Sequence, residues 1–362
     1  MIYSIYPKYD TTIYEKSSSM NTGTDQILEL VHTSNGTSSR YNSRILLKFD
    51  TTEIKDYIDS GKILSGSAKY YLQLRTVDAK EIPQEYTIYA HAISGSWTNG
   101  TGKYFNKPII TDGVSWKYRF SKLNGTEWPS PSGSASYYYT QETGGGTWWN
   151  NLECTQSFSY QTSDVYMDVT PIVQKWVTGS GAYNNDGVIV KFGNDIESSY
   201  ETGRTLKFFS TDSNTIYVPR LNVVWDDSIF ITGSLNPTSF DDTILNVKLK
   251  KYYSQDEKAK IRIYSNSRYP QKQYTTQSYY TKNYFLPSSS YYEIRDAHTD
   301  EIVLPLDITG SKISCDGTSS YFNLWMNAFQ PERFYRIVIK IEENNGNNIQ
   351  IFDNNYYFKV TR

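Results

Sequence analysis

Histidine is the side chain best suited to acid–base catalysis near neutral pH, and this chain has three: His32, His91 and His298. A catalytic centre needs a base, a nucleophile and a third group that orients the base. His32 and His91 lie in stretches that predict strands, and His298 lies in the turn-like segment Asp-Ala-His-Thr-Asp. The sequence therefore predicts no catalytic residue and a protein that is not an enzyme.

Paired carboxylates and cysteines are the other candidates for chemistry. Adjacent acids occur at 226–227, 241–242 and 342–343, but neighbouring residues of a strand point to opposite faces and do not share one substrate atom. Cys154 and Cys315 fall in different predicted domains, which indicates neither a disulfide framework nor a cysteine metal site. Phosphate-binding loops, nucleophile elbows and calcium loops are absent from the sequence. We therefore expect no cofactor and no bound metal.

Aromatic side chains are the residues most suited to contact, and the chain has 34 tyrosines and 8 tryptophans. Residues 95–160 are rich in Gly, Ser, Thr and Asn and predict long loops, where binding surfaces usually lie. The contact candidates in these loops and near the amino terminus are Tyr3, Tyr6, Tyr137, Tyr138, Tyr139, Trp148 and Trp149. Such rings fill subunit interfaces and also stack on sugar faces, so both interpretations stay open.

Charge and hydropathy narrow the classes of partner. The formal net charge of -2 lacks the basic excess that a nucleic-acid-binding surface normally carries. No apolar stretch is long enough to span a bilayer, and residues 1–10 have neither the basic leader nor the apolar run of a signal peptide. We therefore expect no nucleic-acid partner, no membrane partner and folding in a cytoplasm.

The elements that must position these residues are mostly strands. In residues 43–50, Ile45, Leu47 and Phe49 alternate with a largely polar opposite face, which predicts a strand with one side on a core. Residues 168–179 predict the one clear helix, with Thr170 as its cap, Pro171 in its first turn and Gly179 at its end.

Length and strand spacing predict two all-β domains after an amino-terminal arm. The predicted bounds are 1–9 for the arm, 10–227 for the first sandwich and 228–362 for the second. The arm is expected either to cover a sheet edge or to dock on a neighbouring chain. The second domain has seven or eight short predicted strands, which favours an immunoglobulin-like sandwich with the Tyr335 hydroxyl pinning a crossing loop.

Residues 10–226 resemble the DNRLRE-type β-sandwich domain in their order of motifs. The resemblance begins with the basic apolar strand that ends in Phe-Asp and with the Ser-Gly-Ser-Ala lead into the next strand. Its further matches are Trp97, Trp116, Trp128, the helix that contains Trp176 and the strand that ends at Trp225. Members of this group include carbohydrate-binding modules attached to polysaccharide enzymes and to surface proteins. The resemblance implies a carbohydrate-binding-module-like sandwich with one short helix, whose matched tryptophans are structural.

The carboxy-terminal part is similar to a different class of protein. Residues 286–335, which include the segments Leu-Pro-Ser-Ser-Ser-Tyr-Tyr-Glu-Ile-Arg-Asp, Ser-Cys-Asp-Gly and Gln-Pro-Glu-Arg-Phe-Tyr, resemble structural proteins of large tailed bacteriophages. This resemblance implies a non-enzymatic virion protein of the neck, tail or baseplate that folds and assembles in the host cytoplasm. Its expected partners are other virion proteins, with several copies in a symmetric assembly. The alternative is a glycan-binding module that recognises a host or matrix polysaccharide.

Overall fold

The computed structural model is an all-β protein of β-sandwich type with a few short helices. The chain forms two compact units: the amino-terminal unit, Ile5–Val223, and the carboxy-terminal unit, which combines Met1–Ser4 with Val224–Arg362. No helix among the described residues is both long and apolar enough to cross a bilayer. The described residues are 1–64, 66–129, 144–159, 162–179, 183–201, 203–238, 243–269, 284–343 and 348–362.

The first twelve strands are β1 (Ile2–Ile5), β2 (Pro7–Tyr14), β3 (Ile27–Ser34), β4 (Arg40–Phe49), β5 (Lys69–Leu74), β6 (Thr76–Lys80), β7 (Glu85–Ile93), β8 (Trp148–Ser159), β9 (Val165–Asp168), β10 (Val188–Phe192), β11 (Arg204–Phe209) and β12 (Arg220–Val224). All of them except β1, which lies mostly in the carboxy-terminal unit, build the amino-terminal unit. The helices are α1 (Thr52–Asp59), α2 (Thr170–Thr178) and α3 (Asn194–Glu197). Within this unit one sheet has the order β6-β11-β3-β4-β10-β7-β8, with β2 also paired to β4, and a second sheet contains β12, β5 and β9.

Strand β4 lies in the middle of the larger sheet, where it pairs with β2, β3 and β10. Ile45, Leu47 and Phe49 are buried, as the alternation predicted. The expectation of a polar opposite face is wrong, because Arg44 and Leu46 are buried as well. A tryptophan-rich cluster that includes Trp116 packs on Leu46, so β4 is covered on both faces.

Helix α2 confirms the predicted helix with slightly different capping. Pro171 lies in the first turn, and Gly179 ends the helix with φ of +62°, a backbone conformation that glycine adopts at low cost. The Asp168 carboxylate accepts the backbone N–H of Thr170 at 2.9 Å. The Thr170 hydroxyl instead accepts the backbone N–H of Tyr70 at 2.9 Å and so joins the helix to β5.

Strand β8 is the largest element that the sequence did not predict. Residues 148–159 belong to the stretch expected to be loop, because Asn, Thr, Ser and Gln dominate its polar positions. Trp148, Leu152, Cys154 and Phe158 are nevertheless buried at even positions, and the strand pairs with β7 along most of its length. A one-sided apolar pattern therefore specifies this strand despite its low β propensity.

The carboxy-terminal unit contains more strands than the seven or eight predicted. They are β13 (Phe230–Ile231), β14 (Asn236–Pro237), β15 (Thr243–Lys248), β16 (Tyr252–Ser254), β17 (Lys258–Ser267), β18 (Tyr284–Phe285), β19 (Ser290–Asp296), β20 (Ile302–Leu304), β21 (Ser314–Asp316), β22 (Ser320–Trp325), β23 (Arg333–Glu343) and β24 (Asn348–Thr361). One sheet has the order β13-β21-β22-β17-β18-β14 with β15 on β17, and the other has the order β16-β24-β23-β19-β20.

Tyr335 makes the corner contact that its sequence context predicted. Its hydroxyl donates to the backbone carbonyl of Gln330 at 2.8 Å, and the residue is 2% exposed. Its ring packs against Phe329 and Phe358, with centroid distances of 5.0 and 5.6 Å. The hydroxyl therefore fixes the segment that leads into β23 while the ring fills the core.

The amino-terminal stretch is part of the folded units rather than a separate arm. Tyr3 is buried in the carboxy-terminal unit, where its ring lies 5.3 Å from the ring of Trp325 and its hydroxyl accepts the Asn327 amide at 2.9 Å. Residues from Pro7 onward form β2 in the amino-terminal unit. Burial of the apolar residues of this stretch explains why it does not project into solvent.

Candidate functional site

The structure places the predicted contact residues in different environments. Tyr3 and Trp148 are 6% and 1% exposed, so their rings are core residues and not surface contacts. Tyr6 is half-buried, and Trp149 is half-buried with its ring edge-on to Tyr183 at a centroid distance of 5.0 Å. The candidates at 137–139 lie outside the described residues. The described candidates therefore do not come together into one surface.

The histidines do not form an acid–base set. The buried His32 ring contacts the Asn42 side chain, with 2.8 Å between Nδ1 and Oδ1, while the exposed His298 forms part of a turn. Burial, and next the charges of Lys191 and Arg44, lower the pKa of His91 to about 3. Among the described residues no group of three His, Cys, Asp or Glu side chains could hold a metal ion.

A buried ionic centre lies where the sequence predicted no charge cluster. Arg44 on β4 donates from Nε to Glu197 Oε1 at 3.0 Å and from Nη2 to Glu197 Oε2 at 2.8 Å. Lys191 on β10 lies 3.2 Å from the same carboxylate and donates to Asn194 Oδ1 at 2.9 Å. All three charged side chains are at most 3% exposed. The centre thus joins two strands of the larger sheet to helix α3.

The electrostatics of this centre keep its carboxylate ionised. Burial raises the pKa of Glu197, but the charges of Arg44 and Lys191 outweigh burial, and the pKa lies below its usual value. Burial lowers the pKa of Lys191, and the attraction of Glu197 only partly opposes this effect. The three charged side chains are therefore closed off from solvent and paired with one another.

Two tryptophans and a glycine segment close the centre. The Arg44 guanidinium lies 4.8 Å from the ring of Trp116 and 5.2 Å from the ring of Trp148, and it donates to the Gly145 carbonyl at 2.6 Å. The Gly145 backbone N–H donates in turn to the Trp116 carbonyl at 2.7 Å. A side chain at Gly145 would meet the guanidinium at 2.5 Å, and φ there is +83°. Arg44 therefore holds the segment that packs against the loop containing Trp116.

That loop, residues 99–128, is held by the buried Asn21 amide and by backbone bonds such as that from Lys117 N–H to the Ser18 carbonyl at 2.9 Å. Asn21 is 0% exposed, and its Nδ2 donates to the carbonyls of Asn99 at 2.6 Å and Val114 at 2.8 Å. Its Oδ1 accepts the backbone N–H of Gly102 at 2.8 Å. The exposed Asp112 carboxylate also fixes the loop, since it accepts hydrogen bonds from both the hydroxyl and the backbone N–H of Thr101. We call this segment the 99–128 loop.

The 99–128 loop presents large apolar side chains to solvent. Phe105 and Leu123 are 86% and 96% exposed, and Ile109 and Tyr104 are 53% and 47% exposed. A backbone bond from Lys122 to Thr111, at 3.0 Å, holds the two flanking segments together. We call Tyr104, Phe105, Ile109 and Leu123 the loop tip. The rings of Tyr104 and Phe105 contact each other, with centroids 5.2 Å apart. Single exposed apolar residues are ordinary, whereas a contiguous exposed patch is a candidate for an interaction surface.

An open hollow lies elsewhere on the same unit. Its volume is about 620 Å³, and its lining consists of Glu81, Ile82, Pro83, Tyr200, Glu201 and Arg204. The Arg40 guanidinium lies 4.9 Å from the Tyr200 ring, and the Ser34 hydroxyl donates to the Tyr200 carbonyl at 3.1 Å. Arg204 pairs with Glu201 at 2.6 Å. We call this feature the Tyr200 cleft.

The sequence predicted contact residues within 95–160, but the loop tip consists of other residues of this stretch than those predicted. The sequence did not predict a role for Asn21 or for the loop tip, because Asn21, which helps to hold the loop, lies 84 positions before Phe105 in the chain. The available signals were Lys191 within a buried apolar strand and the cluster Lys-Tyr-Phe in a loop otherwise rich in Gly and Thr.

Comparisons with known proteins add no functional information. No protein-family model matches the chain, and no curated protein matches it. A solved structure, a DUF4785 family protein from Legionella pneumophila, aligns at 10% sequence identity with a TM-score of 0.21. That alignment covers 98% of this chain and 66% of the other protein, but similarity at this level carries no argument about fold or function.

Proposed function

We propose that this chain is a non-enzymatic structural protein that acts through protein–protein contacts, with the loop tip as a principal contact surface. The observation that carries the proposal is the exposure of Phe105 and Leu123 on a loop that the buried Asn21 holds in place. Apolar anchors on a rigid base are typical of contact hot spots.

The energetics favour association through such a surface. Burial of a side chain the size of Phe105 or Leu123 in a partner contributes about 1.5–3 kcal/mol. A loop already fixed by Asn21 loses little conformational entropy when a partner binds, so more of that free energy appears as affinity.

The setting of the proposal comes from the sequence. The resemblance of residues 286–335 to structural proteins of large tailed bacteriophages supports a virion component of the neck, tail or baseplate. Its partners are then other virion proteins, and it is present in several copies in a symmetric assembly. Glycan recognition, the alternative, has lost one predicted contact, since the buried Trp148 has no face available to a sugar.

Incorporation of loop variants into particles tests this proposal. A Phe105→Asp, Leu123→Asp double variant places charges where the partner requires apolar surface, so we expect incorporation to fall by about tenfold or more. The matched control is Leu64→Asp, which adds a charge on the same unit at a residue that is 73% exposed and is not part of the 99–128 loop. Circular dichroism and thermal melting should be unchanged for both variants.

Equal incorporation of the double variant and the wild type would refute the proposal. Reduced incorporation of the Leu64→Asp control by the same factor would also refute it, because the effect would then not be specific to the loop tip.

A further inference from the structure

Two neighbouring strands of the carboxy-terminal unit, β15 and β17, carry basic side chains on the face that points away from the core. These residues, which we call the basic face, are Lys248, Lys258, Lys260 and Arg262. We infer that the basic face binds the phosphates of single-stranded nucleic acid. This inference goes beyond the proposed contact function and concerns the unit that does not contain the loop tip.

The strands that form the basic face lie in the most basic part of the chain. Residues 243–269 contain seven basic residues and two acidic residues, a net charge of +5, whereas the whole chain has a net charge of -2. The remainder of the chain therefore has a net charge of -7. The whole-chain charge, on which the expectation of no nucleic-acid partner depends, averages over this local excess. A local basic patch is the electrostatic feature that nucleic-acid-binding surfaces share.

Strand β17 arranges three of the cations in a row. Ile261 and Ile263 are 0% exposed and face the core, so Lys258, Lys260 and Arg262 project from the opposite face. Alternate side chains of a strand follow one another at about 6.6 Å. Two nucleotides of one stacked nucleic-acid strand advance by about 6.8 Å, so each cation in the row is in register with every second phosphate.

The fourth cation creates a like-charge pair across the sheet. Lys248 on β15 lies directly opposite Arg262 on β17, on the same face. Side chains in such positions have Cβ atoms about 4.5–5.5 Å apart, and like charges there destabilise the pairing of the strands. A phosphate bound between the two cations would remove this repulsion. The pair is therefore a local cost that an anionic ligand explains.

Aromatic rings hold the lysines of the basic face in position. Each lysine ammonium lies over a ring of the neighbouring strand, and all three lysines are exposed. The distances from Nζ to the ring centroid are 5.0 Å for Lys248 over Tyr264, 4.4 Å for Lys258 over Trp325 and 3.7 Å for Lys260 over Tyr321. A cation that a ring already positions loses less side-chain entropy when it binds a phosphate.

One carboxylate on the same face competes with a phosphate ligand. Asp316 accepts hydrogen bonds from Lys260 at 2.6 Å and from the Arg262 guanidinium at 2.9 and 3.1 Å. The four cations of the basic face and this carboxylate sum to a net charge of +3. Replacement of Asp316 by Asn would release both cations for a ligand, so this variant should bind nucleic acid more tightly than the wild type.

The arrangement favours a single strand of nucleic acid over other polyanions. One row of cations fits one phosphate backbone, whereas a duplex presents two backbones across a major groove about 12 Å wide. Nucleic acid repeats one negative charge at every nucleotide, which suits a row of evenly spaced cations. An acidic protein segment carries charge only where Asp or Glu occurs.

Fluorescence anisotropy of a labelled oligothymidylate of about 16 nucleotides, titrated with the full chain, tests this inference. Affinity for single strands falls with salt by a slope of about 0.7 per phosphate contacted, so a net charge of +3 predicts a loss of about 20-fold between about 50 and 200 mM salt. The double variant Lys248→Gln, Lys258→Gln should bind more weakly and lose only about 3-fold over the same range. The matched control Lys340→Gln, Lys359→Gln removes the same charge from β23 and β24 of the same unit and should bind like the wild type.

Asp316→Asn provides a gain of binding that misfolding cannot produce. The asparagine keeps a side-chain oxygen for the backbone N–H of Thr318, which Asp316 accepts at 3.2 Å. We expect this variant to bind more tightly than the wild type at about 50 mM salt, and to lose about 50-fold in affinity between about 50 and 200 mM. Circular dichroism should be the same for all variants.

Four results would overturn the inference. They are no binding of the oligothymidylate by the wild type at low salt, equal losses in the basic-face variant and its control, no gain for Asp316→Asn, and binding of a duplex or of polyglutamate as tightly as the oligothymidylate. The proposed contact function is tested separately, because its variants lie in the amino-terminal unit and its measurement is particle incorporation.

Discussion

Replacement of Glu197 by Gln should destabilise the amino-terminal unit strongly. The change keeps the shape of the side chain but removes the negative charge that Arg44 and Lys191 both contact. Two buried cations would then lie against Trp116 and Trp148 without the carboxylate that pairs with both of them. An unpaired buried charge is among the most costly changes in a protein interior.

The expected magnitude follows from burial and geometry. The Glu197 carboxylate accepts two hydrogen bonds from the Arg44 guanidinium, and both side chains are 1% exposed. Removal of one partner from such a pair typically costs about 3–5 kcal/mol. The stability of a domain is commonly about 5–15 kcal/mol, so this loss is a large fraction of the total.

Urea unfolding followed by tryptophan fluorescence measures this loss. The amino-terminal unit contains six of the eight tryptophans, which makes its transition the dominant signal. The matched control is Asp59→Asn, which breaks a pair between Lys55 and Asp59 whose side chains are 46% and 59% exposed. That variant should lose no more than about 0.5 kcal/mol.

A loss of less than about 1 kcal/mol for Glu197→Gln would refute the reasoning, because a dry, closed centre cannot leave two cations unpaired at so small a cost. The reasoning would also be refuted if Glu197→Gln and Asp59→Asn lowered the free energy of unfolding equally.

Three further variants are expected to change stability in defined directions. The pKa of His91 is about 3 in the folded protein against 6.5 in the unfolded chain, so between these pH values only the unfolded chain binds the proton and stability should fall as pH drops. His91→Gln should reduce this fall when unfolding is measured across the pH range. Burial raises the pKa of Asp10 from 3.8 to about 6, so ionisation of this carboxyl should reduce stability as pH rises from about 4 to 6. An Asp10→Asn variant with the same pH dependence as the wild type would show that Asp10 is not the group responsible. Tyr335→Phe removes the hydrogen bond to Gln330 and should lower the free energy of unfolding by about 1–1.5 kcal/mol. The control Tyr357→Phe, whose hydroxyl lies at the exposed surface, should leave the free energy of unfolding almost unchanged.

Elements with local signals could be predicted from the sequence. The strand at β4, Pro171 and Gly179 in α2, and the corner segment before Tyr335 each depend on neighbouring residues, and the structure contains all of them, although burial in β4 does not alternate. Strand β8 was missed because Asn, Gln, Ser and Glu interrupt its strand-favouring residues, and only pairing with β7 makes its alternation meaningful.

The site depends on contacts between distant parts of the chain, and these could not be predicted. Arg44 and Glu197 are 153 residues apart, so nothing near Arg44 indicates that the polar side of β4 is buried. Trp148 and Phe105 both lie in stretches that resemble loops, yet one is 1% exposed and the other 86%. The difference arises from Arg44 beneath Trp148 and from Asn21 beneath the 99–128 loop.

Cross-linking mass spectrometry on assembled particles tests the central claim of contact most directly. If the loop tip is a contact surface, the exposed Lys103, Lys107 and Lys122 should cross-link to another polypeptide or to a second copy of this chain. Lys55 and Lys62, near α1, should give only cross-links within the chain. Loop lysines that react with a monofunctional reagent in particles as readily as in the isolated protein, and form no cross-links between chains, would contradict the account.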